Sequence, residues 1–270
     1  MAQTSAARVA AARAQVPEQR LRQSTTAEPP PLVLSSFDLI MELKLSAPSS
    51  GALAPDDQVL ESQVLRYARA GAAAVSVLTE PDRFGGTLAH LKRAVAALGP
   101  ARVPAMRKDF LVDRYQLHET RAAGAGGALL IVRMLKPKAL AAMADCAREL
   151  GLFILLEAFD RADLKRAVAC AAAWKGAGGR VLIGVNCRDL ATLEVRPERL
   201  YDLARLLPRE FPAVAESGLH TVGDAERLAE SGYRAALIGT ALMTAQDPEA
   251  LGRELLAAGR AARARIGDAA

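Results

Sequence analysis

Short, almost uninterrupted apolar runs alternate along this chain with longer segments in which apolar residues recur every three or four positions. The first pattern suits strands covered on both faces, and the second suits helices that bury one face. The spacing predicts strands over residues 38–44, 73–78, 103–106, 127–132, 152–157, 181–186, 213–216 and 235–239. Between them it predicts helices such as Gln58–Ala70, Tyr115–Ala123, Pro137–Leu150, Arg161–Ala171, Pro197–Leu207 and Val222–Ser231. Gly71, Gly124, Gly151 and Gly232 fall where helices should stop. An Ala/Arg-rich stretch, residues 5–23, reads as one further helix, ended by Ser-Thr-Thr and Pro29-Pro30-Pro31.

Eight strand–helix repeats predict a closed (β/α)8 (TIM) barrel over residues 35–270, preceded by an N-terminal helical extension and linker over residues 1–34. An open doubly wound sheet would want a glycine-rich turn after its first strand, and none is present. The Gly176–Gly179 stretch precedes a strand and reads as a loop.

The barrel reading gives meaning to an oddity in the strands. Five apolar runs extend to a charged or amide residue: Leu39–Lys44, Val103–Lys108, Phe153–Glu157, Val181–Asn186 and Ala213–Glu216. Such residues are excluded from a doubly covered sheet unless something needs them, and the C-terminal tips of barrel strands form one rim where chemistry is done. Glu42 and Lys44, two residues apart, share a face of their strand. With Lys108, Glu157, Asn186 and Glu216 they make a candidate acid–base cluster, to which Arg188 and Ser217 are adjacent. The seventh and eighth strands end in Ser217-Gly218 and Gly239-Thr240, a pairing that suits a phosphate cradle of backbone N–H groups and hydroxyls.

Composition narrows the partners. The formal net charge is +5, but the excess Arg sits near the two ends and leaves the body almost neutral, which argues against a nucleic-acid partner. No apolar run is long enough to span a bilayer. Three cysteines without metal-type spacing and three scattered histidines argue against a metal centre and suit a reducing, cytoplasmic setting. Only seven of the 35 basic residues are Lys, yet two of those seven fall at strand tips.

At these residues the sequence resembles the indole-3-glycerol-phosphate synthase family of tryptophan biosynthesis. The matching blocks are Met41–Lys44 with Ala47-Pro48-Ser49, Val77–Glu80 through Phe84-Gly85-Gly86, Arg107-Lys108-Asp109-Phe110 with Tyr115-Gln116, and Leu129–Val132. They continue with Leu156-Glu157, Gly184–Leu190, Ala215–Gly218 and Gly239–Met243, in order over about residues 38–250. The resemblance implies a cofactor-independent carboxy-lyase. Such an enzyme cyclises and decarboxylates 1-(2-carboxyphenylamino)-1-deoxyribulose 5-phosphate, an anionic sugar phosphate, to indole-3-glycerol phosphate.

By that resemblance Lys108 is expected as general acid at the ketone, its pKa lowered by burial and neighbouring cations, and Lys44 as partner of the substrate carboxylate. Glu157 would serve the dehydration and Glu42 would orient Lys44, while Asn186 and Glu216 would hold substrate hydroxyls. Arg188 and Ser217 would bind substrate, and Phe84, Phe110 and Leu130 would form the slot for the aromatic ring. Gly218, Gly239, Thr240 and Ser49 would take the phosphate. Neighbouring enzymes of the pathway are possible partners.

Three departures from the family pattern stand out. Leu45 replaces a basic residue, and Ala47 precedes Pro48 where the family has Ser; Ala158-Phe159 follows Glu157 where Val-His is common; and the segment before the first strand is short and divergent. These leave open a related barrel enzyme acting on another aryl-amino sugar phosphate, or a catalytically silent binding partner. Against the silent partner, every charged rim residue is retained.

Overall fold

A computed structural model of the chain describes residues 1–24, 27–44, 46–47, 51–52, 59–174 and 181–267. Eight parallel strands close into a barrel: β1 (Asp38–Leu43), β2 (Ala74–Leu78), β3 (Ala105–Lys108), β4 (Gly127–Ile131), β5 (Phe153–Ala158), β6 (Val181–Asn186), β7 (Ala213–Glu216) and β8 (Ala235–Ile238). Each pairs with its sequence neighbours, and β1 closes the ring against β8, with Asp38 opposite Ala235 and Met41 opposite Ile238. A two-stranded hairpin, Ser46–Ala47 with Gly51–Ala52, follows β1 and was not foreseen in the hydrophobic pattern.

The N-terminal segment forms two helices, α1 (Ala2–Gln15) and α2 (Glu18–Gln23), where the sequence suggested one. Pro17 is the reason: it excludes the helical conformation at Val16, which adopts φ −129° and ψ 107°. The helices around the barrel are α3 (Leu60–Ala70), α4 (Pro81–Phe84), α5 (Leu88–Leu98), α6 (Arg114–Ala122), α7 (Pro137–Glu149), α8 (Arg161–Ala171), α9 (Glu198–Ala204), α10 (Val222–Glu230), α11 (Thr240–Thr244) and α12 (Pro248–Gly267). Local chemistry sets their starts. Asp113 and Gln116 make reciprocal caps on α6, as Thr221 and Asp224 do on α10. Gly71, at φ +96°, ends α3 in the left-handed region that other residues avoid.

Strand alternation divides the apolar residues into two environments. Ile40, Ala74, Met106, Leu129, Leu155, Leu182, Val214 and Leu237 fill the barrel interior. Their strand neighbours, among them Met41, Val75, Val185, Ala215 and Ile238, pack outward against the helices. Gly127 faces inward, where a Cβ would lie 2.3 Å from the Phe153 ring; its bareness lets Phe153 fill the interior. This packed column is the floor on which the charged strand tips stand. No helix among the described residues is long and apolar enough to cross a membrane.

Candidate active site

The same alternation continues to the rim. Residues two and four places beyond the interior apolar positions point inward as well, which carries Glu42, Lys108, Glu157, Asn186 and Glu216 into the mouth of the barrel. All except half-buried Lys108 are buried. Lys44 lies one residue past the end of β1 and turns back to pair with Glu42, its Nζ 3.2 Å from Oε1. Lys108 Nζ sits 3.4 Å from Glu42 Oε2 and 3.5 Å from Glu216 Oε2. On the far side Asn186 Nδ2 donates to Glu157 Oε1 at 2.6 Å, while Asn186 Oδ1 accepts from the Arg188 backbone N–H and the Ser217 hydroxyl.

Two glycines make room for this charge. A Cβ on Gly184 would lie 2.1 Å from Glu216 Oε1, and one on Gly239 would lie 2.7 Å from Glu42 Oε1 and 3.0 Å from Lys44 Cε. Ser217 adopts φ +65°, rare for a residue with a side chain, and its bond to Asn186 holds it there.

The electrostatics correct one expectation. Burial disfavours the Lys108 ammonium, but Glu42, Glu216 and Glu157 outweigh burial and raise its pKa above the ordinary lysine value. A lowered pKa was expected from cations crowding the rim, whereas the groups nearest Lys108 are carboxylates. Burial also works against the Glu42 carboxylate, yet Lys108 and Lys44 hold its pKa below normal. Glu216 goes the other way: burial first, then the neighbouring Glu157 charge, raise it well above the usual carboxylate range despite Lys108. Glu42 Oε2 and both Glu216 oxygens are buried and accept no hydrogen bond within the described residues.

One cleft takes in Glu42, Lys44, Lys108, Glu157 and Asn186 together with Arg188, Ser217, Gly218, Gly239 and Thr240, so the proposed acid–base and phosphate groups share a single chamber, while fully buried Glu216 stands behind its wall against Lys108. Phe84 and Phe110 line it too. Leu130 does not. Its side chain packs outward with Leu156 and Ile154 against the helix layer, and the wall of the cleft comes from its neighbours Leu129 and Ile131. In a strand apolar on both faces a one-residue error in register exchanges inside for outside. Ser49 and Leu45 lie outside the described residues. Ala47 belongs to the small hairpin, and Phe159 is buried beneath the Arg133 guanidinium, 4.5 Å from its ring centroid.

Several lining residues escaped the sequence reading: Met1, Glu80, Arg83, Asp109 and His220 among them. The signal for Asp109 was present in the Arg-Lys-Asp-Phe alternation. With Lys108 inward, Arg107 and Asp109 sit on the outer side, 3.0 Å apart, where Thr79 and Arg8 also hold the Asp109 carboxylate. Arg8 thereby ties α1 to the rim, and Ser5 donates to the Phe110 carbonyl.

The comparisons agree with this geometry. The model of a family described as "Indole-3-glycerol phosphate synthase" matches residues 1–255, including the N-terminal helices. A Nocardioides sp. protein of that name is 44% identical over 219 residues, covering 80% of this chain and 79% of the relative. Its counterpart in Micrococcus luteus is 40% identical over 263 residues, covering 93% and 91%. Among solved structures, 3-hexulose-6-phosphate synthase from Salmonella typhimurium superposes with a TM-score of 0.61 at 17% identity, over 82% of this chain and 98% of that one, a likeness of fold alone.

Proposed function

Because the chain belongs to the indole-3-glycerol phosphate synthase family, decarboxylating and cyclising lyases of tryptophan biosynthesis that act on an anionic phosphorylated substrate, we propose that the rim cluster carries out each proton transfer of that ring closure. The ring carbon bearing the carboxylate attacks the ketone carbon. Lys108 gives a proton to the ketone oxygen as the carbon–carbon bond forms, so that no free alkoxide develops. A raised pKa keeps Lys108 charged at neutral pH, and the pocket carboxylates that raise it also aim it.

Loss of carbon dioxide leaves its bonding electrons in the ring and restores aromaticity. Dehydration then needs two transfers: an acid protonates the departing hydroxyl, and a base takes the proton from the adjacent former methylene carbon. Glu157, held by Asn186, serves this step. Glu42 keeps Lys44 and Lys108 apart and oriented, and Lys44 meets the substrate carboxylate. Glu216, buried behind the cleft wall with Oε2 3.5 Å from Lys108 Nζ, holds that ammonium in place. Ser217, Gly218, Gly239 and Thr240 take the phosphate, and Arg188 closes the wall beside them. Phe84 and Phe110, with Leu129 and Ile131 in place of Leu130, form the apolar slot for the aromatic ring. A cytoplasmic setting fits the reduced cysteines.

The observation that carries this reading is the convergence of Lys44, Lys108, Glu42, Glu157 and Asn186 in one cleft with the phosphate-type loops. Mixing the purified protein with carboxyphenylamino-deoxyribulose phosphate and following indole fluorescence tests it. Steady growth of the indole signal is expected, and no growth would refute the reading.

A further inference from the structure

One cation of the cleft has no part in the scheme so far. Arg83 lines the cleft from α4, and its guanidinium carbon lies 6.0 Å above the centroid of the Phe110 ring. Among the described residues no carboxylate lies within ion-pair reach of it, whereas Lys44 and Lys108, the two lysines of the cleft, are both paired with Glu42. The short turn that carries it is built stiffly. Buried Glu80 accepts the Arg83 backbone N–H at 2.7 Å, Gly85 closes the turn at φ +62°, and a Cβ on Gly86 would lie 2.3 Å from the Leu78 carbonyl oxygen. A rigid loop therefore presents a guanidinium with no ion-pair partner among the described residues beside an aromatic wall.

Lys44 enters the cleft from another side. Its stem passes close to Gly239, on the β8 side of the mouth, whereas Arg83 and Phe110 stand on the β2–β3 side. A substrate ring held against Phe110 carries its carboxylate at the ring edge, where a planar two-pronged donor on the β2–β3 side can hold it alongside the ammonium of Lys44. We propose that Arg83 is a substrate-binding residue that recognises the aromatic carboxylate and so selects carboxylated over carboxylate-free aryl-amino sugar phosphates. This rests on the ring slot assigned above.

The chemistry limits what Arg83 can contribute. A strong ion pair to the carboxylate stabilises the group that must leave as carbon dioxide, so the contact favours capture of substrate and not the transition state for decarboxylation. Loss of Arg83 should accordingly raise KM and leave kcat unchanged or slightly higher.

The test uses Arg83→Gln and Arg83→Lys with two non-reacting ligands, each with its ketone reduced to an alcohol: the carboxyphenylamino sugar phosphate and its phenylamino counterpart. Binding to both is measured by calorimetry, alongside turnover of the true substrate. Expected for Arg83→Gln is at least a tenfold loss of affinity for the carboxylated ligand, none for the carboxylate-free one, and an intermediate loss in Arg83→Lys. Unchanged affinity for the carboxylated ligand, or equal losses for both, would overturn the proposal, the second result marking a merely structural residue. Failure of the wild-type protein to form indole would strike the activity itself, a result distinct from any change in ligand preference.

Discussion

The ammonium of Lys108 lies 3.4 Å from a Glu42 oxygen that accepts no hydrogen bond of full geometry, so the pair is an ion pair open to a third participant. This relationship governs when Lys108 can act as an acid. Its raised pKa keeps the proton in place through neutrality, so titration of Lys108 itself lowers activity on the alkaline side, where that proton is lost. Glu42→Gln removes one of the charges that raise it and should move the alkaline limb of kcat/KM to lower pH. Lys108→Ala should lower kcat by at least about 100-fold with the fold intact. An alkaline limb unmoved in Glu42→Gln would show that Glu42 does not set the Lys108 proton affinity.

Glu216 gives a stability prediction of opposite sense to the usual carboxylate. Its pKa is raised in the folded protein, so between the ordinary value of 4.5 and the folded one the native state binds more protons than the unfolded chain. Stability from this group is therefore present at low pH and declines as pH rises through that window. Glu216→Gln, neutral and of the same shape, removes the decline. Thermal melts from pH 5 to 8 should show the variant gaining on the wild type as pH rises, at the expense of activity. A difference that stays flat or shrinks would contradict the raised value.

The rim was legible because charged residues interrupt apolar runs: Glu42, Lys108, Glu157 and Glu216 are anomalies in any strand buried on both faces. What surrounds each was not. That three carboxylates would face Lys108 depends on contacts between strands far apart in sequence, and the expected direction of its pKa was wrong for that reason. Leu130 was misplaced because Leu129–Val132 is apolar throughout, and such a run carries no mark of which side faces in. Arg83 and Glu80 sit on a turn outside any periodic pattern, and Gly184 shows its purpose only when Glu216 of the adjacent strand is seen beside it. The two-helix N-terminus, in contrast, could have been anticipated from Pro17.

Leu129, Leu130 and Ile131 separate wall from core. Leu130→Ala opens a cavity in the fully buried layer behind the strand and should destabilise the protein by about 2–5 kcal/mol while leaving KM within twofold. Leu129→Ala or Ile131→Ala should raise KM for the aryl substrate several-fold, since both line the cleft. Urea unfolding and steady-state kinetics on the three variants distinguish the assignments, and a KM effect confined to Leu130→Ala would reverse them.

Gly184 is a packing prediction with a built-in control. In Gly184→Ala the new methyl group occupies the position of Glu216 Oε1 and presses on Leu155, forcing the carboxylate away from Lys108. We expect kcat to fall at least tenfold and stability to drop by about 1–3 kcal/mol. Shortening the partner relieves the clash, so Glu216→Asp added to Gly184→Ala should recover much of the lost stability. Additive losses in the double variant would show that the two positions do not meet.

Arg8 and Asp109 make the N-terminal helix part of the site. Asp109 has no exposed side-chain surface and is held by two Arg8 contacts, by Arg107, by Thr79 and by the Phe110 backbone N–H. Burial works against its charge, but Arg8 and Arg107 hold its pKa below the ordinary 3.8. A depressed carboxylate contributes stability that is present above the unfolded value and is lost as pH falls through the folded one. Arg8→Ala leaves the buried carboxylate short of a donor and should cost about 1–3 kcal/mol near neutral pH, with a smaller difference from wild type in strong acid. Because Ser5 and Met1 on the same segment reach Phe110 and the cleft, KM should rise together with that loss. Arg8→Lys should restore part of both. Stability that falls while KM stays at the wild-type value would make α1 a clamp on the barrel with no hold on the ring slot.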